Sequence, residues 1–107
     1  MRLVTAVLPT AGFEQVREAL RTLGIPGVTV STVYAQGVLP PRYEVYRGVR
    51  WRVDLLPAVR MDIVAADADA DDIVRVIAVA GGGGSVWVQR VEEVVRIRTG
   101  ERGGAAL

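Results

Sequence analysis

Apolar residues recur along this chain at two different spacings, and each change of spacing marks a predicted element. A continuous apolar run over residues 3–8 stops at Pro9, which predicts a short buried strand. Apolar side chains then return at steps of three and four between charged residues, which predicts an amphipathic helix that ends at Gly24. The apolar stripe of this helix is Phe13, Val16, Leu20 and Leu23.

The second part of the chain repeats this alternation after a long irregular segment. Residues 29–34 are rich in β-branched side chains and predict a strand. Periodicity fails from residue 36 to about 50, so a loop is expected, and a loop of that length usually has a function. Strand character returns over 51–65. The second helix is predicted from Ile73, Val76, Ile77 and Ala80, one or two strands from 86–88 and 94–97, and a flexible tail after Gly100.

The order of these elements predicts one domain of α+β class. Strand, helix, strand, strand, helix and strand form the βαββαβ arrangement of a ferredoxin-like fold, here over residues 1–107. Its two helices should cover one face of the sheet. Half of the residues are hydrophobic and only 23% are charged, which is apolar for a small monomer. The other sheet face is therefore expected to be buried by partner subunits.

Composition excludes several classes of chemistry. The chain has no cysteine and no histidine, which removes thiolate nucleophiles, the commonest metal ligand and the commonest general base. We therefore expect a protein that is not an enzyme. The absence of disulfides and of a signal-peptide pattern favours a cytoplasmic location. A net charge of +1 gives no bulk attraction to nucleic acid, and no apolar stretch approaches the ~20 residues of a membrane-spanning helix.

Two arginines near the end of the chain are candidates for anion binding. Arg96 and Arg98 are two residues apart, so on a strand both would point to one face. Two guanidinium groups on one face can hold phosphate oxygens through paired hydrogen bonds. The spacing is equally compatible with surface arginines that protect an edge strand from aggregation. Spacing alone leaves both interpretations open.

The acidic run over residues 67–72 superficially resembles the start of a calcium loop. It lacks the glycine that such a loop needs at its turn, and its twelfth position is Ala78 rather than glutamate. We expect these aspartates to cap the second helix and to complement its dipole.

Several segments taken together resemble the PII nitrogen-signalling family over nearly the whole chain. They are residues 24–30, 46–51, 53–57, 95–101 and 105–107. The resemblance implies a homotrimer that binds ATP or ADP, with AMP a further candidate, in clefts between subunits. It also implies a docking loop, the T-loop at about 37–50, that contacts a transporter, an enzyme or another regulator of nitrogen and carbon metabolism. Contact with a membrane would then be indirect, through a transporter partner.

The resemblance also implies which residues bind the nucleotide. Residues 27–29 would contact the adenine, Val64 would form an apolar wall, and Gly37 would lie at the base of the T-loop. The shortened B-loop at 81–85 would surround the phosphates with backbone amides, and the two arginines before the C-terminal segment 99–107 would bind them. The full set is Gly27, Val28, Thr29, Gly37, Val64, Gly83, Gly84, Arg96 and Arg98.

The chain departs from the family pattern in three places. The B-loop is Gly81–Ser85, several residues short and without its lysine, so nucleotide binding should be weaker. Leu39 and Ala58 replace the glutamine and lysine that hold Mg²⁺ and 2-oxoglutarate, and neither side chain can do so. Gln36 would restore a ligand only if the alignment is shifted. Trp51 replaces the tyrosine that is nucleotidylated in many members, which excludes modification there.

A second hypothesis is a ligand-free trimeric interaction module whose nucleotide site has degenerated. The loop places four arginines between aromatic residues, a composition that also occurs in nucleic-acid binders. It equally suits docking to an acidic protein surface. The arginines are Arg42, Arg47, Arg50 and Arg52.

Overall fold

The computed structural model describes all 107 residues and contains two helices and six strands. In chain order they are β1 (Arg2–Pro9), α1 (Phe13–Leu23), β2 (Thr29–Ala35), β3 (Arg42–Tyr46), β4 (Val49–Val53), β5 (Leu56–Ala65), α2 (Asp67–Ala80) and β6 (Ser85–Arg90). Four strands form one antiparallel sheet in the order β2-β5-β1-β6, while β3 and β4 pair only with each other. The predicted α+β, ferredoxin-like βαββαβ fold is confirmed, with a β-hairpin inserted before β5.

Both helices pack on one face of the sheet, as predicted. Alternation along the strands directs every second side chain of β1 and β5 toward the helices, where they are buried. These residues are Val4, Ala6 and Leu8 of β1 and Val59, Met61 and Ile63 of β5. Val16 and Leu20 of α1 and Ile73 and Ile77 of α2 complete the core. The hydrophobic stripe of each helix therefore faces the core at its middle positions, and Leu23 at the end of α1 is exposed.

The opposite face of the sheet carries no helix and holds a small polar network. Thr5 has no exposed surface, and its hydroxyl donates to Asp62 Oδ1 at 2.7 Å. Arg60 Nε donates to Asp62 Oδ2 at 3.1 Å. These hydrogen bonds, that from Arg60 first, hold the pKa of the Asp62 carboxyl below its ordinary value of 3.8. Trp87, the partner of Thr5 on β6, keeps 39% of its surface exposed, so this sheet face presents apolar area beside the Arg60–Asp62 ion pair.

The segment predicted as an irregular loop contains β3 and most of β4, so that prediction is wrong for residues 42–50. Arg47 and Gly48 join the two strands with φ values of 51° and 75°. Two consecutive residues with positive φ form the tight turn whose twist matches that of an antiparallel strand pair. Asp54 and Leu55 then separate β4 from β5, so the single strand predicted over 51–65 is also wrong.

The chain after β6 differs from the predicted strand and flexible tail. Only an isolated bridge joins Val95 to Arg102, and Arg96 N donates to Glu101 O at 2.9 Å. The chain therefore doubles back between these residues instead of continuing along the sheet. A 3-10 turn, Gly103–Ala106, follows, and Ala106 is buried. Local backbone hydrogen bonds order this segment, and hydrophobic periodicity carries no signal for them.

The ends of the helices agree only in part with expectation. Gly24 ends α1 in the left-handed conformation, as predicted. Ala66 is the N-cap of α2 and no side chain caps it, so the predicted aspartate cap is wrong. Asp67 and Asp69 do lie in the first turn, where their charge complements the helix dipole. Asp67 also binds the amino group of Met1 at 2.7 Å. Neither helix combines the length and the apolar character that crossing a membrane requires.

Candidate functional site

A cavity of about 580 Å³ lies where the end of α1, the end of β5 and the start of α2 meet the last segment of the chain. Its wall is formed by residues 24–27, residues 64–66, Asp69, Arg96, Gly104 and Leu107. Its volume falls within the ~300–1,000 Å³ that is typical of small-molecule sites. The structure thus brings together three of the predicted nucleotide-binding residues, Gly27, Val64 and Arg96.

Arg96 is the cationic residue of this cavity. None of the salt bridges in the structure involves it. One guanidinium nitrogen donates instead to the backbone carbonyl oxygen of Ala106 at 3.1 Å. A neutral carbonyl leaves the positive charge available for an anionic ligand. The cavity also contains the carboxylate of Asp69, which can accept hydrogen bonds from a ligand's hydroxyl or amino group.

A second group of predicted residues lies at the other end of α2. Gly83 and Gly84 line a smaller cavity of about 180 Å³ beside Ile77 and Val86. Asp69 and Ile77 are eight residues apart on α2, which separates them by about 12 Å along the helix. The residues predicted to bind the nucleotide therefore line two separate cavities of one subunit, at opposite ends of α2.

The turn between α2 and β6 uses its glycines for backbone reasons. Gly82, Gly83 and Gly84 have φ values of 73°, 138° and 93°. A Cβ at Gly84 would lie 1.9 Å from the carbonyl oxygen of Val7. A Cβ at Gly83 would reach Leu39 Cδ2 at 4.0 Å, so the base of the hairpin segment adjoins this turn. The positive φ values and the close packing of the turn are therefore sufficient to explain why glycines occupy it.

The remaining predicted residues line neither cavity. Arg98 is exposed beyond the cavity, between Arg96 and Gly100, where the chain reverses. It does not share a strand face with Arg96, so that geometric prediction is wrong. Val28 and Thr29 are exposed at the start of β2, and Gly37 follows the end of that strand with φ 83°. The role of all nine residues in nucleotide binding stays a prediction.

Eight of the eleven cavity residues were absent from the predicted set, among them Asp69, Gly104 and Leu107. Asp69 was interpreted only as a charge at the start of α2, because an acidic residue there is common in helices. Gly104 and Leu107 were assigned to a flexible tail, and small or isolated apolar residues in that context give no sequence signal.

Comparison with known proteins now adds to this geometry. The family model of nitrogen regulatory protein P-II matches residues 1–101. The chain is 38% identical to nitrogen regulatory protein GlnK of Escherichia coli (strain K12) over the full length of both proteins. It is 37% identical to nitrogen regulatory protein P-II of Rhizobium meliloti (strain 1021), again over the full length of both. The chain belongs to the P-II family. These relatives are named as regulatory proteins, in agreement with the prediction of a regulator.

In this P-II protein the hairpin lies within and just beyond the segment predicted as the T-loop. Strand alternation gives it two faces. One face carries Tyr46, Val49 and Trp51, all more than half exposed. On the other, the Arg50 guanidinium lies 4.0 Å from the centre of the Tyr43 ring, a cation–π arrangement. The hairpin therefore presents an aromatic face and a cationic face to solvent.

Two of the hairpin arginines carry charge that their own neighbours do not neutralise. Arg42 and Arg52 form ion pairs with carboxylates in the hairpin segment, those of Glu44 and Asp54. Arg47 and Arg50 form no ion pair, and Arg47 lies 5.3 Å from the centre of the Tyr46 ring. A planar guanidinium stacked on a ring keeps its edge available for a carboxylate.

Leu39 and Ala58 are the two residues that were predicted to replace ligands of Mg²⁺ and 2-oxoglutarate. Leu39 approaches the glycine turn with an apolar side chain, and Ala58 is buried in β5. Neither can donate an oxygen ligand or a positive charge. The structure contains no group of three or more acidic side chains arranged to hold a metal ion.

Proposed function

We propose that this P-II protein binds an adenine nucleotide in clefts between the subunits of a homotrimer and controls a partner protein through its hairpin. The observation that carries the proposal is the division of the predicted site into two incomplete halves at opposite ends of α2. A cleft between two copies can combine the Arg96 half of one subunit with the glycine turn of its neighbour. Each subunit would then contribute its Arg96 cavity to one cleft and its glycine turn to another, as a cyclic assembly requires.

Exposed apolar side chains beside the Arg96 half support this assembly. Val64 is 42% exposed and Val95 is also 42% exposed. Ile97, which follows Arg96 in the chain, is 97% exposed. A neighbouring subunit that covers these residues would also exclude water from the cleft, and this strengthens the attraction between a guanidinium and a phosphate.

The same cleft offers a route from nucleotide to partner. Leu39 lies beside the glycine turn and three residues before the start of β3. A nucleotide that binds more tightly to one arrangement of the segment around Leu39 than to another would change the population of hairpin positions.

Because Leu39 and Ala58 can supply neither an oxygen ligand nor a positive charge, we propose that the nucleotide alone is the signal, without Mg²⁺-bridged 2-oxoglutarate. Trp51 likewise provides no hydroxyl for nucleotidylation. The partner would be a transporter, an enzyme or another regulator of nitrogen or carbon metabolism.

Titration calorimetry with ATP, ADP and AMP tests this proposal, each with and without 2-oxoglutarate and Mg²⁺. At least one nucleotide should bind the unmodified protein, and 2-oxoglutarate should not change its affinity. Arg96→Ala should weaken that binding by roughly 30-fold or more, since it removes a charged partner of the phosphates. Arg75→Ala is the matched control, because Arg75 is an exposed arginine on α2 outside the cavity. If none of the three nucleotides binds, the proposal is wrong.

One observation favours the ligand-free interaction module as a second candidate. The glycine turn is explained by its own backbone conformation, and it contains no basic residue that would bind phosphate. In that case the trimer would only present three hairpins. Capture of an identified partner would then be equally strong with and without nucleotide, whereas the leading proposal expects a difference.

A further inference from the structure

The last turn of the chain contacts the one arginine that faces the cavity. Arg96 donates to the carbonyl oxygen of Ala106 at 3.1 Å, and no other side-chain hydrogen bond of Arg96 is present. Gly104 and Leu107, on either side of Ala106 in this turn, line the same cavity. The turn therefore forms part of the site as well as packing against it.

The turn is itself held in place, so its carbonyl is a fixed acceptor. Gly103 N donates to Val94 O at 3.0 Å, which ties the start of the turn to the segment that precedes Arg96. Leu107 N donates to Gly104 O at 3.3 Å, and the side chain of Ala106 is buried. Arg96 N in turn donates to Glu101 O at 2.9 Å. The backbone and the side chain of Arg96 therefore both form hydrogen bonds to the C-terminal segment, which includes Glu101 and Ala106.

The chemistry of the acceptor matters for the ligand. Other arginines of the chain are paired with carboxylates, as Arg102 is with Glu93 and Arg60 with Asp62. A carboxylate orients a guanidinium but also neutralises it, whereas a carbonyl orients it and leaves the charge intact. A guanidinium has five N–H donors, so this hydrogen bond leaves most of them for a phosphate.

We propose that the turn Gly103–Ala106 positions Arg96 for the phosphate groups of the bound nucleotide, through the carbonyl oxygen of Ala106. This inference rests on the proposed nucleotide site. Arg96 is the phosphate-binding residue and the turn is a positioning element that contacts Arg96 rather than the phosphate. A guanidinium already oriented before binding loses less rotamer freedom when the ligand arrives. The turn therefore increases affinity for phosphate-bearing ligands and has little influence on the adenine.

The test compares ATP with adenosine in calorimetric titrations of the full chain and of a variant that lacks residues 104–107. Deletion should weaken ATP binding by about three- to tenfold, the range expected for one unrestrained arginine side chain. Adenosine, which has no phosphate, should change by less than about twofold. Leu107→Ala is the matched control, because it trims the cavity wall and keeps the Ala106 carbonyl. It should leave the ratio of ATP to adenosine affinity unchanged.

A double-mutant cycle identifies Arg96 as the residue through which the turn acts. On an Arg96→Ala background, the deletion should weaken ATP binding by less than about twofold, since the residue it positions is gone. Subunit mass and thermal unfolding verify that each variant keeps the fold. Should the deletion fail to fold, Ala106→Leu displaces the same turn by overpacking a buried site and takes its place.

Four results overturn the inference while leaving the nucleotide site intact. Tighter ATP binding after deletion would mean that the turn competes with the ligand. Equal weakening for ATP and adenosine, or an equal loss in Leu107→Ala, would mean that the segment is only a wall. An additive effect on the Arg96→Ala background would mean that it acts elsewhere. Absence of ATP binding to the unmodified chain is a separate outcome, which overturns the proposed function and this inference together.

Discussion

Gly84 and Gly82 lie in the turn between α2 and β6, and both have positive φ. A side chain at Gly84 would also lack space, whereas one at Gly82 would not. Gly84 combines a φ of 93° with a position where a Cβ would lie 1.9 Å from the Val7 carbonyl oxygen. Gly82 has a similar φ of 73°, but a Cβ there would meet no atom within 4 Å. The same substitution at the two positions therefore measures the two effects separately.

Gly84→Ala should lower the free energy of unfolding by about 3 kcal/mol or more, because β1 or the turn must shift to make room. Gly82→Ala should lower it by only about 1–2 kcal/mol, the strain of an L-residue in the left-handed region. Urea unfolding followed by circular dichroism gives both values. Equal losses in the two variants would show that steric contact with Val7 is unimportant.

The polar network on the open sheet face makes stability depend on pH. The hydrogen bonds from Arg60 and Thr5 lower the pKa of Asp62 in the folded state, so the native protein prefers the ionised carboxylate. The stabilisation is therefore fully present above the unfolded pKa of about 3.9 and is lost as the pH falls through the lower folded pKa. Asp62 should contribute at neutral pH and cease to contribute in acid.

Thr5→Val tests this contribution with almost no change of volume. We expect a loss of about 1–2 kcal/mol at pH 7, because a buried donor to a charged acceptor is removed. The loss should begin to shrink below about pH 4, where Asp62 takes up a proton in the unfolded chain, and should be smallest once the pH has fallen through its lowered pKa in the folded protein. Unfolding measured from pH 7 to pH 2.5 on both proteins gives the difference, and a constant difference across that range would contradict the assignment.

At the scale of elements, hydrophobic periodicity predicted the parts of the fold that it controls. It located β1 and both helices, because the core selects one side-chain face in each of them. The strand β2 was predicted from its β-branched side chains instead, and none of its residues is buried. It missed the β3–β4 hairpin, where every residue but Val53 is exposed and the turn is Arg47–Gly48 rather than the usual Asn–Gly pair. It also missed the chain reversal after β6, which backbone hydrogen bonds create.

The candidate site was predictable only through the family resemblance. Gly27, Val64 and Arg96 are far apart in sequence, and nothing in their spacing shows that they line one cavity. Arg98 was predicted beside Arg96 from strand alternation, and the reversal of the chain makes that geometry wrong. The contribution of Gly104 and Leu107 depends on how the last turn folds, which composition does not reveal.

The hairpin should be an independent unit of stability, because β3 and β4 pair only with each other. Gly48→Val places a β-branched residue at a φ of 75° and should raise amide hydrogen exchange in β3 and β4 by about tenfold or more. Amides of β1 and β5 should be unaffected. Val49→Thr, at the adjacent strand position, is the control and should change exchange by less than about threefold. Increased exchange throughout the main sheet would show that the hairpin is part of the global folding unit.

At the scale of the whole molecule, the surface of one copy suits burial against others. On the open sheet face, Thr5 and Arg60 both donate to Asp62, so a second surface can cover these three groups without separating them from their partners. Trp87 on that face and Ile97 beyond β6 remain exposed. This distribution agrees with the apolar composition, which predicted an interface before any contact was known.

Ile97 and Val79 form a matched pair for testing where that interface lies. Both are among the most exposed apolar residues of the chain, at 97% and 84%, but Val79 lies on the outer side of α2 and Ile97 beside the proposed cleft. Ile97→Glu should convert trimers to smaller species at micromolar concentration, because an unpaired carboxylate would be buried in the interface. Val79→Glu should remain trimeric. Light scattering coupled to size exclusion measures the mass, and the thermal midpoint of the unmodified protein should rise with concentration. Equal masses for the two variants would exclude Ile97 from the interface, and a monomeric unmodified protein would leave each half-site of the nucleotide cleft without its complement.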